Sequence, residues 1–71
     1  MKSKISITVC SDLDYENLIA EITIDKNFFG IVTNEPSIGF CFEMPEGQVS
    51  GTPVSLDVFI EAIERAKNSL T

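Results

Sequence analysis

Seventy-one residues with a net charge of −6, built from 11 Asp and Glu against 5 Lys and Arg and no His, make one small acidic domain. A chain this short buries only about 60% of its unfolded surface, so its core is thin and association with another molecule carries weight from the start. The charge argues against a nucleic-acid surface, the lack of histidine removes His-based catalysis, and no apolar run approaches the roughly 18 residues of a membrane span.

The charge is also unevenly placed. Every acid lies between Asp12 and Glu64, Lys26 is the only base in that interval, and Lys2, Lys4, Arg65 and Lys67 stand at the two ends. Such a surface keeps a small domain soluble, and it also attracts a basic protein and speeds the encounter.

In chain order, residues 4–10 alternate strictly: Ile5, Ile7 and Val9 face one way and Ser6, Thr8 and Cys10 the other, which predicts a half-buried strand. The N-terminus lacks the continuous apolar stretch of a signal peptide, so a cytoplasmic location is expected. Residues 11–17, Ser-Asp-Leu-Asp-Tyr-Glu-Asn, read as a polar acidic loop with Leu13 or Tyr15 folded back to pack. A second strand is predicted over 18–25, with Leu18, Ala20, Ile22 and Ile24 on one face, followed by a tight turn at Asp25-Lys26-Asn27. A third follows over 28–34, alternation placing Phe29, Ile31 and Thr33 on one face and Phe28, Gly30 and Val32 on the other. Pro36 ends it, because proline cannot donate to a ladder.

The fourth strand is predicted over 38–43, with Ile38, Phe40 and Phe42 pointing one way. Gly and Ser then mark 48–53 as a loop, expected to be the most mobile part of the chain. Ser55 is a good N-cap for a helix over 56–69, with Asp57 in its first turn. Leu56, Phe59, Ile63, Ala66 and Leu70 recur at helical spacing beside Ile60, and Glu61 and Arg65 form an i,i+4 pair. The predicted fold is α+β: one domain over 1–71, a four-stranded antiparallel β-meander with one C-terminal α-helix packed on one face.

One helix covers one face of such a sheet. The opposite face is expected to carry Ile19, Phe28, Val32, Cys10 and Cys41 among polar residues, an apolar patch rimmed by carboxylates. The predicted partner-binding residues are therefore Asp12, Asp14, Tyr15, Glu16, Glu21, Asp25, Phe28 and Val32. Scattered exposed apolar residues would need no such explanation. No catalytic residue, metal ligand or cofactor site is predicted. Two Cys without His or C-x-x-C spacing do not make a zinc site, and the acids around them disfavour a reactive thiolate. Asp12-Leu13-Asp14 opens like a calcium loop, but Asn17 stands where that loop needs Gly and Thr23 where it needs Glu.

Two stretches carry a family resemblance: residues 7–22, ITVCSDLDYENLIAEI, and residues 54–67, VSLDVFIEAIERAK. They resemble small bacterial immunity proteins of toxin–immunity systems, such as contact-dependent growth inhibition and related polymorphic toxins. The resemblance implies a cytoplasmic antitoxin that covers the active site of a cognate toxin, in many cases a nuclease with a basic cleft, and that itself touches neither nucleic acid nor membrane. Residues 26–48 carry no part of the likeness. Two other readings fit the residues: a phage-type inhibitor mimicking nucleic acid, and a homodimeric structural or regulatory module.

Overall fold

The computed structural model describes residues 3–44 and 53–71. Strands β1 (Ile5–Cys10), β2 (Ile19–Ile24), β3 (Asn27–Glu35) and β4 (Gly39–Glu43) form one antiparallel sheet in the order β1-β2-β3-β4, and helix α1 (Leu56–Ser69) packs on one face of it. This is the predicted α+β meander. The loop predicted at 48–53 lies, but for Pro53, outside the described residues.

The β2–β3 turn is tighter than its residues favour. Asp25 and Lys26 both have positive φ, 51° and 70°, as a two-residue hairpin loop requires. Asp tolerates that region through its short polar side chain; Lys gains nothing there. Lys26→Gly should raise stability by about 1 kcal/mol in urea unfolding, and an unchanged midpoint would show that the turn is unstrained. Asp25 also ties down the start of β1. Its Oδ1 accepts from the Lys4 amide and its own amide donates to the Lys4 carbonyl, both at 2.8 Å. At the β3–β4 turn the Ile38 amide donates to the Glu35 carbonyl, and Gly39, at φ 77°, turns the chain into β4.

Strict alternation fails in β3. Ile22 pairs with Gly30 but Thr23 pairs with Phe28, so Phe29 is an extra residue, a β-bulge. A single inserted residue reverses the facing of everything beyond it. Phe29 keeps the helix side, where its ring meets Phe59 at 5.5 Å. Gly30 and Val32 join it there, opposite Ile22 and Ala20, and Ile31 and Thr33 turn to the other face. Two expectations are thereby corrected. Val32 is 3% exposed on the helix side instead of lying in an open patch, and Ile31 leaves the helix-side core.

The main core joins Ala20, Ile22, Ile24 and Val32 to Ala62 and Ala66 of α1, with Ile5, Ile7, Phe29, Val58, Ile63 and Leu70 around them. The inward stripe of α1 is therefore Val58, Phe59, Ala62, Ile63, Ala66 and Leu70, the small alanines letting the helix approach the sheet closely. Leu56 and Ile60, expected inside, are 76% and 53% exposed. Ser55 occupies the N-cap position but makes no side-chain cap bond. The Glu61–Arg65 pair forms at 3.5 Å, both side chains at least half exposed, and contributes a few tenths of a kcal/mol at most.

Candidate functional site

The side of the sheet without the helix is not bare. Residues 11–18 leave β1 and cross it as a strap. The Tyr15 hydroxyl donates to Glu43 Oε2 of β4 at 2.9 Å, so the Tyr15 side chain reaches from the β1–β2 connection to the strand at the opposite edge of the sheet. Glu35 of β3 holds the next two residues, its carboxylate oxygens accepting from the Glu16 amide at 2.7 Å and the Asn17 amide at 2.9 Å. The Asn17 side-chain amide donates to the Asn34 carbonyl. At the strap's start Asp12 Oδ1 accepts from the Asp14 amide at 2.8 Å, closing a local turn.

On this face, which carries no helix, Ile19, Ile31 and Thr33 are 2%, 5% and 1% exposed. The expected open apolar patch is therefore corrected. Ile19 is covered, Val32 is on the far side, and Phe28, Cys10 and Cys41 are half-buried. What this face offers to solvent is mainly acidic. Asp12, Asp14, Glu16 and Glu43 are exposed and Glu21 half-buried, around the half-buried Tyr15 ring. Leu13, expected as one of two residues to pack, stands fully out at 105% while Tyr15 packs. Of the predicted binding residues, the strap thus gathers Asp12, Asp14, Tyr15, Glu16 and Glu21. Asp25 is exposed at the far end with its carboxylate committed to Lys4, and Phe28 sits at the bulge.

The electrostatics follow from this packing. The hydrogen bond to Glu43, helped by burial and by the charges of Glu43, Asp12 and Asp14, pushes the Tyr15 hydroxyl up to about 12. Partial burial and then Glu21 and Asp12 push the Cys10 thiol up, which keeps it protonated and a poor nucleophile. Thr33 Oγ1 is buried with no hydrogen-bond partner among the described residues. Thr33→Val should therefore stabilise the domain, by about 1 kcal/mol, because it removes an unsatisfied buried hydroxyl and keeps the shape. A loss of stability on thermal unfolding would mean that the hydroxyl is bonded.

Sequence reasoning missed a second surface, on the helix side. α1 lies over β1 and β2, reaches β3 less, and meets β4 through Phe59 and Lys67. Phe42 crosses Gly30 to meet Phe59 at 5.6 Å and Phe29 at 6.3 Å, and it remains 37% exposed. Phe40 is 40% exposed, with Lys67 Nζ 5.3 Å from its ring centroid. Val32, Phe40, Phe42, Ile63 and Lys67 line a shallow groove here. The exposed Leu56 and Ile60 were its one available signal, since with Ile63 and Lys67 they recur at steps of four, three and four along one stripe.

Among the described residues neither face shows a substrate-sized cavity. Two indentations lined wholly by described residues measure about 70 and 120 Å³, against at least about 300 Å³ for a typical small-molecule site. Among the described residues no cluster of His, Cys, Asp and Glu is arranged to hold a metal ion, and no helix is long and apolar enough to cross a membrane. Neither a family model, nor a curated protein, nor a solved structure matches the chain.

Proposed function

We propose that this chain is a non-enzymatic binding protein of the immunity type, which neutralises a cognate bacterial toxin domain by laying its acidic strap over a basic cleft. One observation carries the reading. The strap is braced at Tyr15–Glu43 and at Glu35, so Asp12, Asp14 and Glu16 are held on a fixed platform instead of a floppy loop. Carboxylates fixed in place lose little entropy when they receive Arg or Lys, and they form charge-assisted hydrogen bonds there. Leu13 at the apex supplies an apolar contact in their midst. A cytoplasmic location and a nuclease-type toxin belong to the same proposal, as does the lack of direct contact with nucleic acid or membrane.

The test is co-expression with the product of the neighbouring gene. A stable one-to-one complex is expected. The double variant Asp12→Lys, Asp14→Lys should associate at least about tenfold more slowly at low ionic strength, with a flatter salt dependence. A double variant that binds as fast and protects cells as well would remove the strap from the interface. A nucleic-acid mimic directed at a phage-targeted nuclease would use the same acids, and gene neighbourhood separates the two.

A further inference from the structure

We propose that the outer edge of β1 pairs with β1 of a second copy of this chain, antiparallel, so that two four-stranded sheets become one continuous sheet. β1 is an end strand and, among the described residues, pairs only with β2. Edge strands are commonly guarded by charge, proline or a bulge, and Ile5–Cys10, ISITVC, has none of these. Which groups the edge offers follows from the ladder. The Lys4 carbonyl accepts from the Asp25 amide, so Lys4 turns its main-chain polar groups toward β2. Alternation turns those of Ser6, Thr8 and Cys10 the same way and those of Ile5, Ile7 and Val9 outward. The two-residue turn agrees, since it closes on Ile24 and Asn27 and leaves Thr23, Glu21 and Ile19 to bond Ser6, Thr8 and Cys10. The outward groups match an antiparallel copy of themselves. Ile7 meets Ile7 and Ile5 meets Val9 about a two-fold axis, each pair exchanging both of its hydrogen bonds.

The flanks of the edge select a second copy over any other strand. An axis normal to the sheet puts both helices on one face, antiparallel to each other. α1 lies over β1 and β2, so with strands about 4.8 Å apart the two helix axes come about 10 Å apart, which is packing distance. Ile63 and Lys67 face β4 and Ala62 and Ala66 face the sheet, so Glu61 and Arg65, one residue before each alanine, lie on the flank above the β1 edge. Ser55 and Ser3 border one indentation, and Lys67 lies by Phe40 at the Cys10 end, so α1 runs parallel to β1. Ser3 to Ile7 is about 13 Å of strand, and Ser55 to Ile63 about 12 Å of helix. The midpoint of Glu61 and Arg65 thus stands level with Ile7, at the axis, and each Glu61 meets the Arg65 of the other copy. On the opposite face Lys4 lies diagonal to Asp12 of the other copy, both exposed and without an ion-pair partner among the described residues. An unrelated strand would supply the hydrogen bonds but neither set of charges. The seam also brings Ile5 of the other copy beside Val9, which is 40% exposed. It does not depend on the immunity reading.

Sedimentation equilibrium and amide hydrogen exchange of the whole chain test this. An edge about 20 Å long and about 20 Å deep covers about 400 Å² per copy, less than a standard interface, so a dimer dissociating at tens of micromolar is expected. Exchange should slow with rising concentration at the Ile5, Ile7 and Val9 amides and stay unchanged at Ser6, Thr8 and Cys10. Val9→Pro removes an outward donor and no bond to β2, and should weaken the dimer at least about tenfold. Arg65→Glu, on an exposed flank, should weaken it about tenfold, and Glu61→Arg combined with Arg65→Glu should restore it to within about threefold. That charge swap separates lost pairing between copies from lost folding. The proposal is overturned if the chain stays monomeric up to about 1 mM. It is equally overturned if a dimer forms that protects residues 39–43 instead, if Val9→Pro leaves the dimer as tight, or if the charge swap restores nothing.

Discussion

Gly30→Ala is expected to destabilise the domain by about 2–3 kcal/mol and to dislodge Phe42. A Cβ at Gly30 would lie 2.6 Å from Cε1 and Cζ of Phe42 and 2.9 Å from the Glu43 carbonyl oxygen. The ring could swing away, but the carbonyl belongs to β4 and moves only if the β3–β4 ladder opens. Displacing Phe42 also breaks its edge contacts with Phe29 and Phe59, which together hold β4 to the helix side of the sheet. Gly39→Ala is the control. Nothing lies within 4 Å of its would-be Cβ, so its cost is only that of the φ of 77°, about 1 kcal/mol. Urea midpoints should rank wild type, then Gly39→Ala, then Gly30→Ala. Equal midpoints for the two variants would mean that Phe42 does not lie across Gly30.

The second large effect is a loss of the strap at high pH. The Tyr15 hydroxyl titrates at about 12 in the folded chain against an ordinary value of 10.0. A group whose folded value is raised lends stability that is complete below the unfolded value and disappears as pH climbs through the folded one. The strap's contribution should thus be intact below about pH 10 and vanish between about pH 10 and 12. The chain has one Tyr and no Trp, so near-ultraviolet tyrosinate absorbance reads this residue alone. Glu43→Gln should bring the titration back toward the ordinary value. Tyr15→Ala should cost about 2 kcal/mol at neutral pH, by uncovering Ile19, Ile31 and Thr33. Titration of Tyr15 near 10 in the unaltered protein would show that the strap does not close on β4.

Most of the fold was legible because local rules agree. Ile5-Ser6-Ile7-Thr8-Val9 can hardly be other than a half-buried strand, and Pro36 and Ser55 mark ends that the structure places within a residue or two. Facing was less legible, because it depends on counting. Phe28-Phe29-Gly30 carries the bulge, and alternation contains no sign that one residue is extra. The room that Gly30 leaves for Phe42 was the available hint, and it makes sense only once β4 is known to lie alongside. The strap was illegible for a related reason. Its bonds join residues 17 to 28 positions apart, and nothing local distinguishes Glu35 and Glu43 from other surface acids. The expectation that a lone helix leaves the opposite face open as an apolar patch failed, since Ile19, Ile31 and Thr33 are buried there and Val32 lies on the helix side.

The strap's division of labour bears on how such a protein could be retargeted. Its anchors are main-chain amides at Glu16 and Asn17, the Asn17 amide group and the Tyr15 hydroxyl, while among the described residues the side chains of Leu13, Asp14 and Glu16 make no hydrogen bond. Substitutions at those three positions should therefore shift stability by no more than about 0.5 kcal/mol. On the proposed reading, drift there would rewrite the contact surface while the scaffold stays constant, so a lineage under pressure from a changing adversary could alter its match three residues at a time without refolding anything.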